Sequence, residues 1–267
     1  MLKGISKSAE SFIRLYEGTT VVLKASGTEF LPDNIDTLAS CIEELTRNNI
    51  HCTLVFGGQV QIDRHWARHH RDMRPKQNGI GITTPNVLHD AVLPAYEQVR
   101  TTIAETIPSM QILDPSNVQC TPIPKYGLVG QVGRIDHYNP EHPTAIGFIG
   151  TADDQRVNIN ADEVTRALVE EYHHRLNEVF FLTERGGIDS VYGKRAEIIL
   201  SDEIPAILKD KHPRIRVQGG MQKKVEDAQA MLPIIGKVAI TTSANVLQEI
   251  ENWKGSGTLC VQSDQLT

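Results

Sequence analysis

Two kinds of residue in this sequence sit where an anion could be held: lysines beside glycine turns, and an Asn/Asp group at the head of a helix. The first turn is KASGTE, Lys24 to Glu29, in which Lys24 ends an apolar run and Gly27 lies in the turn that follows. The second is FGGQVQ, Phe56 to Gln61, with Gly57 and Gly58 between an apolar run and a helical stretch. The third is QGGMQKKVEDA, Gln218 to Ala228, where Gly219 and Gly220 open a helix carrying Met221, Lys223 and Lys224. Glycine lets backbone N–H groups approach an anion, and a helix amino terminus adds a favourable dipole. The three turns with their lysines point together to phosphate handling, although any one of them alone reads as a glycine ending a strand. No GxGxxG follows the first apolar run, and VYGKR (Val191 to Arg195) lacks the P-loop spacing and its Ser/Thr, which disfavours both standard nucleotide fingerprints.

The segment VNINADEVTRAL, Val157 to Leu168, heads a helix between two strand-like runs. Asn160 reads as its N-cap. Asn158, at a strand's carboxyl end, can orient a carboxylate substrate, and Asp162 can hold lysines in place without acting as a base. His65 and His69 stand at i, i+4 in DRHWARHHRD, a spacing that can bind zinc, but a third ligand and an HExxH-type base are missing. These histidines read as a solvated helix face or a subunit contact, and no metal site is expected.

The elements that must position these groups alternate along the chain. Apolar, β-rich runs cover Thr20 to Ala25, Cys52 to Phe56, Thr144 to Ile149, Glu178 to Thr183 and Lys237 to Thr242, the pattern of strands buried on both faces. Between them, Asp33 to Arg47 carries Ile35, Leu38, Ala39, Ile42 and Leu45 on one helical stripe, and Asp162 to His173 and Gln222 to Leu232 read similarly. This order predicts a largely parallel sheet between helices. Tyr126 to Pro143 predicts a local antiparallel hairpin closing around Asn139-Pro140. Ser8 to Glu17 predicts a short amphipathic helix whose Phe12, Ile13 and Tyr16 need a partner in this chain or another subunit.

Composition narrows the class. The 267 residues carry Lys+Arg 27 against Asp+Glu 33, a net charge of −6, which argues against a dedicated nucleic-acid binder. Hydrophobic residues at 40% and charged residues at 22% suit a globular unit with a real core. No run approaches the ~18 apolar residues of a membrane span, and MLKGISKSAE has no signal core, so a cytoplasmic protein without membrane partners is expected. Cys41, Cys52, Cys120 and Cys260 form no CxxC pair and read as reduced, packed thiols.

In their order and spacing these motifs resemble the amino-acid kinase family, most closely acetylglutamate kinases, including the kinase-type domains of bifunctional acetylglutamate synthase/kinase proteins. TVVLKASG is similar to the family's first strand and lysine turn, VFGGQVQI to its second glycine loop, and NGIGITTP to its substrate-proximal segment. YGLVGQVGRID is similar to the hairpin after the amino-terminal lobe, VNINAD to the Asn/Asp motif, FLTERGGI to the nucleotide-side strand, QGGMQKKVEDA to the glycine-lysine helix, and IENWKGSGTL to the closing segment.

The resemblance implies an α/β fold, an open αβα sandwich with a mainly parallel sheet, in one domain over 1–267. Residues of about 1–175 would form an acceptor lobe and 176–267 a nucleotide lobe. It implies ATP-dependent phosphorylation of the side-chain carboxylate of an acylated amino acid, N-acetylglutamate by default, giving an acyl phosphate in arginine biosynthesis. Mg2+ would enter with ATP. Lys24 and Lys224 would flank the transferring phosphoryl group, with Asp162 organising them. Gly57, Gly58, Gly81 and Asn158 would line the acceptor, and Gly27, Thr183, Glu184, Gly219, Gly220 and Met221 the nucleotide. Glu249, Gly255 and Gly257 match a site for an arginine effector, and a homo-oligomer, dimer or hexamer, is implied. No general base is needed, because a carboxylate acceptor is already ionised at neutral pH.

Three positions depart from the family pattern. Gly81 stands where an arginine usually grips the substrate's α-carboxylate, Gln59 replaces a glycine of the second loop, and Ser26 replaces one of the first. A Gly81→Arg substitution is therefore expected to lower KM, unless Arg64 or Arg74 has taken over the anchoring. The departures leave open a kinase for a different small acceptor, or a catalytically weak arginine-sensing domain.

Overall fold

The structure, a computed structural model, describes residues 13–77, 80–252 and 255–263. Its centre is an eight-stranded sheet in the order β12-β14-β13-β11-β1-β2-β8-β5. These strands are β1 (Thr20–Ala25), β2 (His51–Phe56), β5 (Gln111–Ile112), β8 (Thr144–Ile146), β11 (Leu176–Leu182), β12 (Ile198–Leu200), β13 (Lys237–Thr241) and β14 (Thr258–Val261). Neighbours from β13 to β5 run parallel, whereas β14 pairs antiparallel with β13 and parallel with β12.

Strand alternation assigns the two faces. Val21, Leu23 and Ala25 of β1 pack with Ile35, Leu38, Ile42 and Leu45 of α1 (Pro32–Arg47) and with α3 (Leu93–Thr106), beside α2 (Gln59–His69). Val22 packs on the opposite face with Val164 and Leu168 of α4 (Ala161–Tyr172), in a cluster that also holds Ile204 and Ile207 of α5 (Ile204–Leu208) and Val225, Ala228 and Met231 of α6 (Gly219–Ile235). With a period of two, Lys24 falls on the α4/α6 face. Chain order also matters: from β1 the chain crosses to β2 on one side, and β11 arrives on the other. In open α/β sheets such a switch point opens a crevice at the strands' carboxyl ends, and Lys24 lies near that end of β1.

The expected αβα sandwich is therefore present, with most expected bounds shifted by a residue or two. Asn160 caps α4 as its sequence implies, its side chain accepting from the Asp162 amide at 2.9 Å. Two expectations need correction. The run Thr144 to Ile149 is two strands: at Gly147 the chain leaves β8 and Phe148 leads it into β9 (Ile149–Ala152), in a four-stranded sheet of order β10-β9-β6-β7. Phe56 and Tyr96 crowd this crossing, since a Cβ on Gly147 would stand 2.4 Å and 2.5 Å from their rings. The hairpin exists with another partner: β7 (Gly130–Ile135) pairs with the upstream β6 (Val118–Pro122), and the Asn139-Pro140 turn leads into β8. That four-stranded sheet is closed by β10 (Gln155–Asn158), and a small flap pairs β3 (Lys76–Gln77) with β4 (Ile80–Gly81).

Of the expected amino-terminal helix, Phe12 lies outside the described residues. Ile13 and Tyr16 pack on the core of their own chain, and the Tyr16 hydroxyl donates to Glu178 Oε2 at 2.5 Å. No described helix is long and apolar enough to cross a membrane. All four cysteines are free.

Candidate active site

Lys24 and Asp162 meet on the α4/α6 face of the sheet, near the carboxyl end of β1. Lys24 Nζ stands 2.7 Å from Asp162 Oδ1, with both side chains largely buried. Burial alone would raise the Asp162 carboxyl, but Lys24 beside it, and Lys224 and Lys223 beyond, outweigh that and hold it below the ordinary range. Burial, and then the nearby Lys24 cation, lower Lys224, with Asp162 and Asp227 opposing them. Asp162 is thus bonded to one of the two lysines and acts on the other through its field.

The neighbouring lysine has its own partner. Lys223 Nζ donates to Asp227 Oδ1 at 2.9 Å, one turn along α6, and Arg166 Nε of α4 stands 3.7 Å from the same oxygen. Asp227 is 1% exposed, and its Oδ2 has no hydrogen-bond partner among the described residues. Sequence reasoning passed over Asp227, although the Lys223-x-x-x-Asp227 spacing was there to be seen.

The glycine turns divide. Gly27 packs on the first turn of α2: a Cβ there would stand 3.2 Å from the Val60 amide and 2.5 Å from Gln61 Oε1, and Gln61 Nε2 donates to the Gly27 carbonyl at 2.7 Å. Gly58 is required by packing, since its Cβ would fall 2.2 Å from the Phe148 ring, while Gly57 has ordinary room between Ala25 and Ala161. At the start of α6, Gly219 (φ +56°) and Gly220 are exposed, with no described atom within 4 Å of either Cβ position, and Met221 is half-buried. Gln218 offers no side-chain cap there, so the amino end of α6 faces open space.

Among the residues expected to line an acceptor, Asn158 Nδ2 donates to the Thr83 hydroxyl at 3.1 Å, tying β10 to the segment that follows the flap. Gly81 lies under a guanidinium. A Cβ at this position would stand 2.4 Å from Arg74 Nη1 and 2.9 Å from its Cζ. Arg74 is 5% exposed and fixed from α2, its Nε donating to Asp63 Oδ1 at 3.1 Å and its Nη2 to Gln59 Oε1 at 2.8 Å. Of the two arginines named as possible substitutes for one at position 81, Arg74 and not the exposed Arg64 brings its guanidinium over Gly81, and Gln59 helps to hold it.

Thr183 and Glu184 follow β11. The Thr183 amide donates to the Thr241 carbonyl at 2.8 Å, its hydroxyl accepts from the Gly186 amide at 3.0 Å, and Glu184 is exposed. Glu249, in α7 (Val246–Glu251), accepts through Oε1 from the Thr241 hydroxyl at 2.9 Å and the Gly257 amide at 2.8 Å. Gly255 gives room for its Oε2, which would lie 1.8 Å from a Cβ there. Part of this carboxylate is therefore spent on its own loop. His65 bonds Gln98 at 3.0 Å, and no group of three metal-ligating side chains occurs among the described residues.

Fold and site together define an α/β protein of the amino-acid kinase fold, with a lysine–aspartate centre at the switch point of its sheet. N-acetylglutamate synthase from Neisseria gonorrhoeae, solved with coenzyme A and L-arginine, superposes with a TM-score of 0.80 at 18% identity over 95% of this chain and 63% of that one. Carbamate kinase from Giardia lamblia, solved with AMP-PNP, gives 0.66 at 16% over 92% of this chain and 99% of that one. In sequence the chain is a relative of acetylglutamate kinases: that of Xanthomonas campestris pv. campestris is 26% identical over 287 residues, covering 99% of this chain. The chain spans about 64% of that relative's length. No protein-family model matches it.

Proposed function

We propose that the chain is an ATP-dependent phosphotransferase whose acceptor is the side-chain carboxylate of an acylated amino acid, N-acetylglutamate by default, in arginine biosynthesis. The observation that carries this is the buried Lys24–Asp162 pair at the sheet's switch point, within the field of Lys224. Phosphoryl transfer needs positioning and stabilisation of spread negative charge more than covalent chemistry, and one lysine bonded to Asp162 with a second lysine in its field would supply that. The carboxylate attacks as it stands, so Asp162 orients cations and takes no proton. The nucleotide, brought in with Mg2+, would lie over residues 176–267, its phosphates toward Gly27 and the open amino end of α6. The acceptor would lie over 1–175, near Gly57, Gly58 and Asn158.

The guanidinium over Gly81 would meet an anionic group of the acceptor through Nη1 alone, since Asp63 takes its Nε and Gln59 its Nη2. Glu249 with Gly255 and Gly257 would form an arginine effector site in a homo-oligomer, in which case millimolar arginine raises the melting temperature and Glu249→Ala abolishes the effect.

The test is direct. Incubation with Mg-ATP, hydroxylamine and a panel of acyl amino acids traps any acyl phosphate as a hydroxamate and identifies its acceptor. Hydroxamate from N-acetylglutamate supports the default, and hydroxamate from another acid alone moves the acceptor. No product with any acid, in a protein that still binds ATP, refutes the reading.

A further inference from the structure

Four cationic side chains converge where α6 meets α4, and three carboxylates answer them. Lys24 from β1 is bonded to Asp162 of α4, and Lys223 of α6 is bonded to Asp227 of α6. Arg166 of α4 reaches toward Asp227 at 3.7 Å. Glu163, beside Asp162, interacts with Arg166, Lys223 and Asp227 and is raised by burial. Among the described residues, Lys224 makes no ion pair within 4 Å, although it lies within the fields of Lys24, Asp162 and Asp227.

On a helix, residues three and four apart are neighbours, so Asp227 can be reached by both Lys223 and Lys224. The structure shows it engaging Lys223. We propose that Asp227 is a positioning residue: it draws Lys223 aside, ties α6 to α4 through Arg166, and so leaves Lys224 as the cation free to meet an anionic group in the crevice. Its burial gives this choice force. A carboxylate 1% exposed needs a cation, and the more accessible Lys223, with 40% of its side chain exposed, meets that need without withdrawing Lys224 from the crevice. The charged groups facing Lys224 are Lys24 from β1, Asp162 from α4 and Asp227 from its own helix, while β11 and β13 present Val179, Phe181, Val238 and Ile240 on this face.

This inference rests on the phosphotransferase reading for its purpose, but the arrangement is measurable without turnover. The pH midpoint of Lys224 acylation, read by mass spectrometry in the intact protein, should fall by about one unit in Asp227→Asn, because an anion that favours the ammonium form is lost. It should return toward the natural value in Asp227→Glu. In Lys223→Met, Asp227 loses its partner and turns to Lys224, so the midpoint should rise. If the phosphotransferase reading holds, both Asp227→Asn and Lys223→Met should lower kcat roughly tenfold or more, with KM for ATP changed less than about threefold. Lys223→Met alters a part-exposed side chain and keeps the test usable if Asp227→Asn fails to fold. A Lys224 midpoint unmoved in either folded variant, or moved in the same direction by both, overturns the inference. Absence of turnover in the natural protein sinks the functional reading and leaves the midpoint test standing.

Discussion

Replacing Gly81 by alanine would set a methyl carbon 2.4 Å from Arg74 Nη1 and 2.9 Å from its Cζ. Ordinary contact lies near 3.5 Å, so the guanidinium must retreat by about 1 Å. A free arginine would do so at little cost, but this one is pinned by Asp63 at 3.1 Å and by Gln59 at 2.8 Å. A retreat of that size breaks the bond to Gln59, worth about 1.5–3 kcal/mol for a charged donor. Asp63 has 44% of its side chain exposed, so its screened ion pair adds no more than about 1 kcal/mol. Gly81→Ala should therefore destabilise by about 2–3 kcal/mol, less whatever the flap recovers by shifting. Urea unfolding measures this as a lowered midpoint with an unchanged slope. In an Arg74→Met background the same alanine should cost less than about 0.5 kcal/mol, since its obstacle is gone. Equal costs in the two backgrounds would refute the steric account. Gly81→Arg should displace Arg74 and raise, rather than lower, KM for the carboxylate acceptor.

Lys24→Ala and Lys224→Ala should each cut kcat far more than they weaken ATP binding, because these charges matter most as the phosphoryl group separates; lost nucleotide affinity with normal kcat would contradict the assignment. Asp162→Asn should slow turnover similarly and destabilise by about 3–5 kcal/mol, since it leaves Lys24 buried without its anion. The depressed Asp162 carboxyl contributes stability above its unfolded pKa that is lost as pH falls through the folded value, so the variant's acid unfolding curve should be flatter than the natural protein's. Glu178 behaves oppositely: burial first, partly offset by the Tyr16 hydroxyl and Lys237, pushes it up to about 7. Its contribution is complete below the unfolded pKa and is lost as pH rises toward and through 7, so Glu178→Gln should gain on the natural protein between pH 5 and pH 8 by about 2.5 kcal/mol, read from melting temperatures at the two pH values. An unchanged pH dependence would show that Glu178 is already ionised when Tyr16 binds it.

The sequence by itself determined the layered α/β fold. Runs such as Val21 to Leu23 and Val179 to Leu182 are apolar on both faces, and only a sheet covered by helices on each side can bury them. The amino end of α4 was equally legible, since Asn160 caps it through a bond two residues long. Lys24 and Asp162 were legible as candidates by type and motif, but 138 positions apart (162 − 24) nothing local dictates that they touch. Strand parity and the crossing of α4 over β1 decided that. Tertiary structure alone also decided which lysine Asp227 takes, because a helix offers both at neighbouring positions. It alone decided where the chain leaves the main sheet at Gly147, which rings from two other elements constrain. Arg74 makes the same point near the flap. Its guanidinium reaches the space over Gly81 from seven positions away (81 − 74), held there by two residues of α2. Such a placement is set by packing among the flap, the loop and the helix rather than by any local pattern.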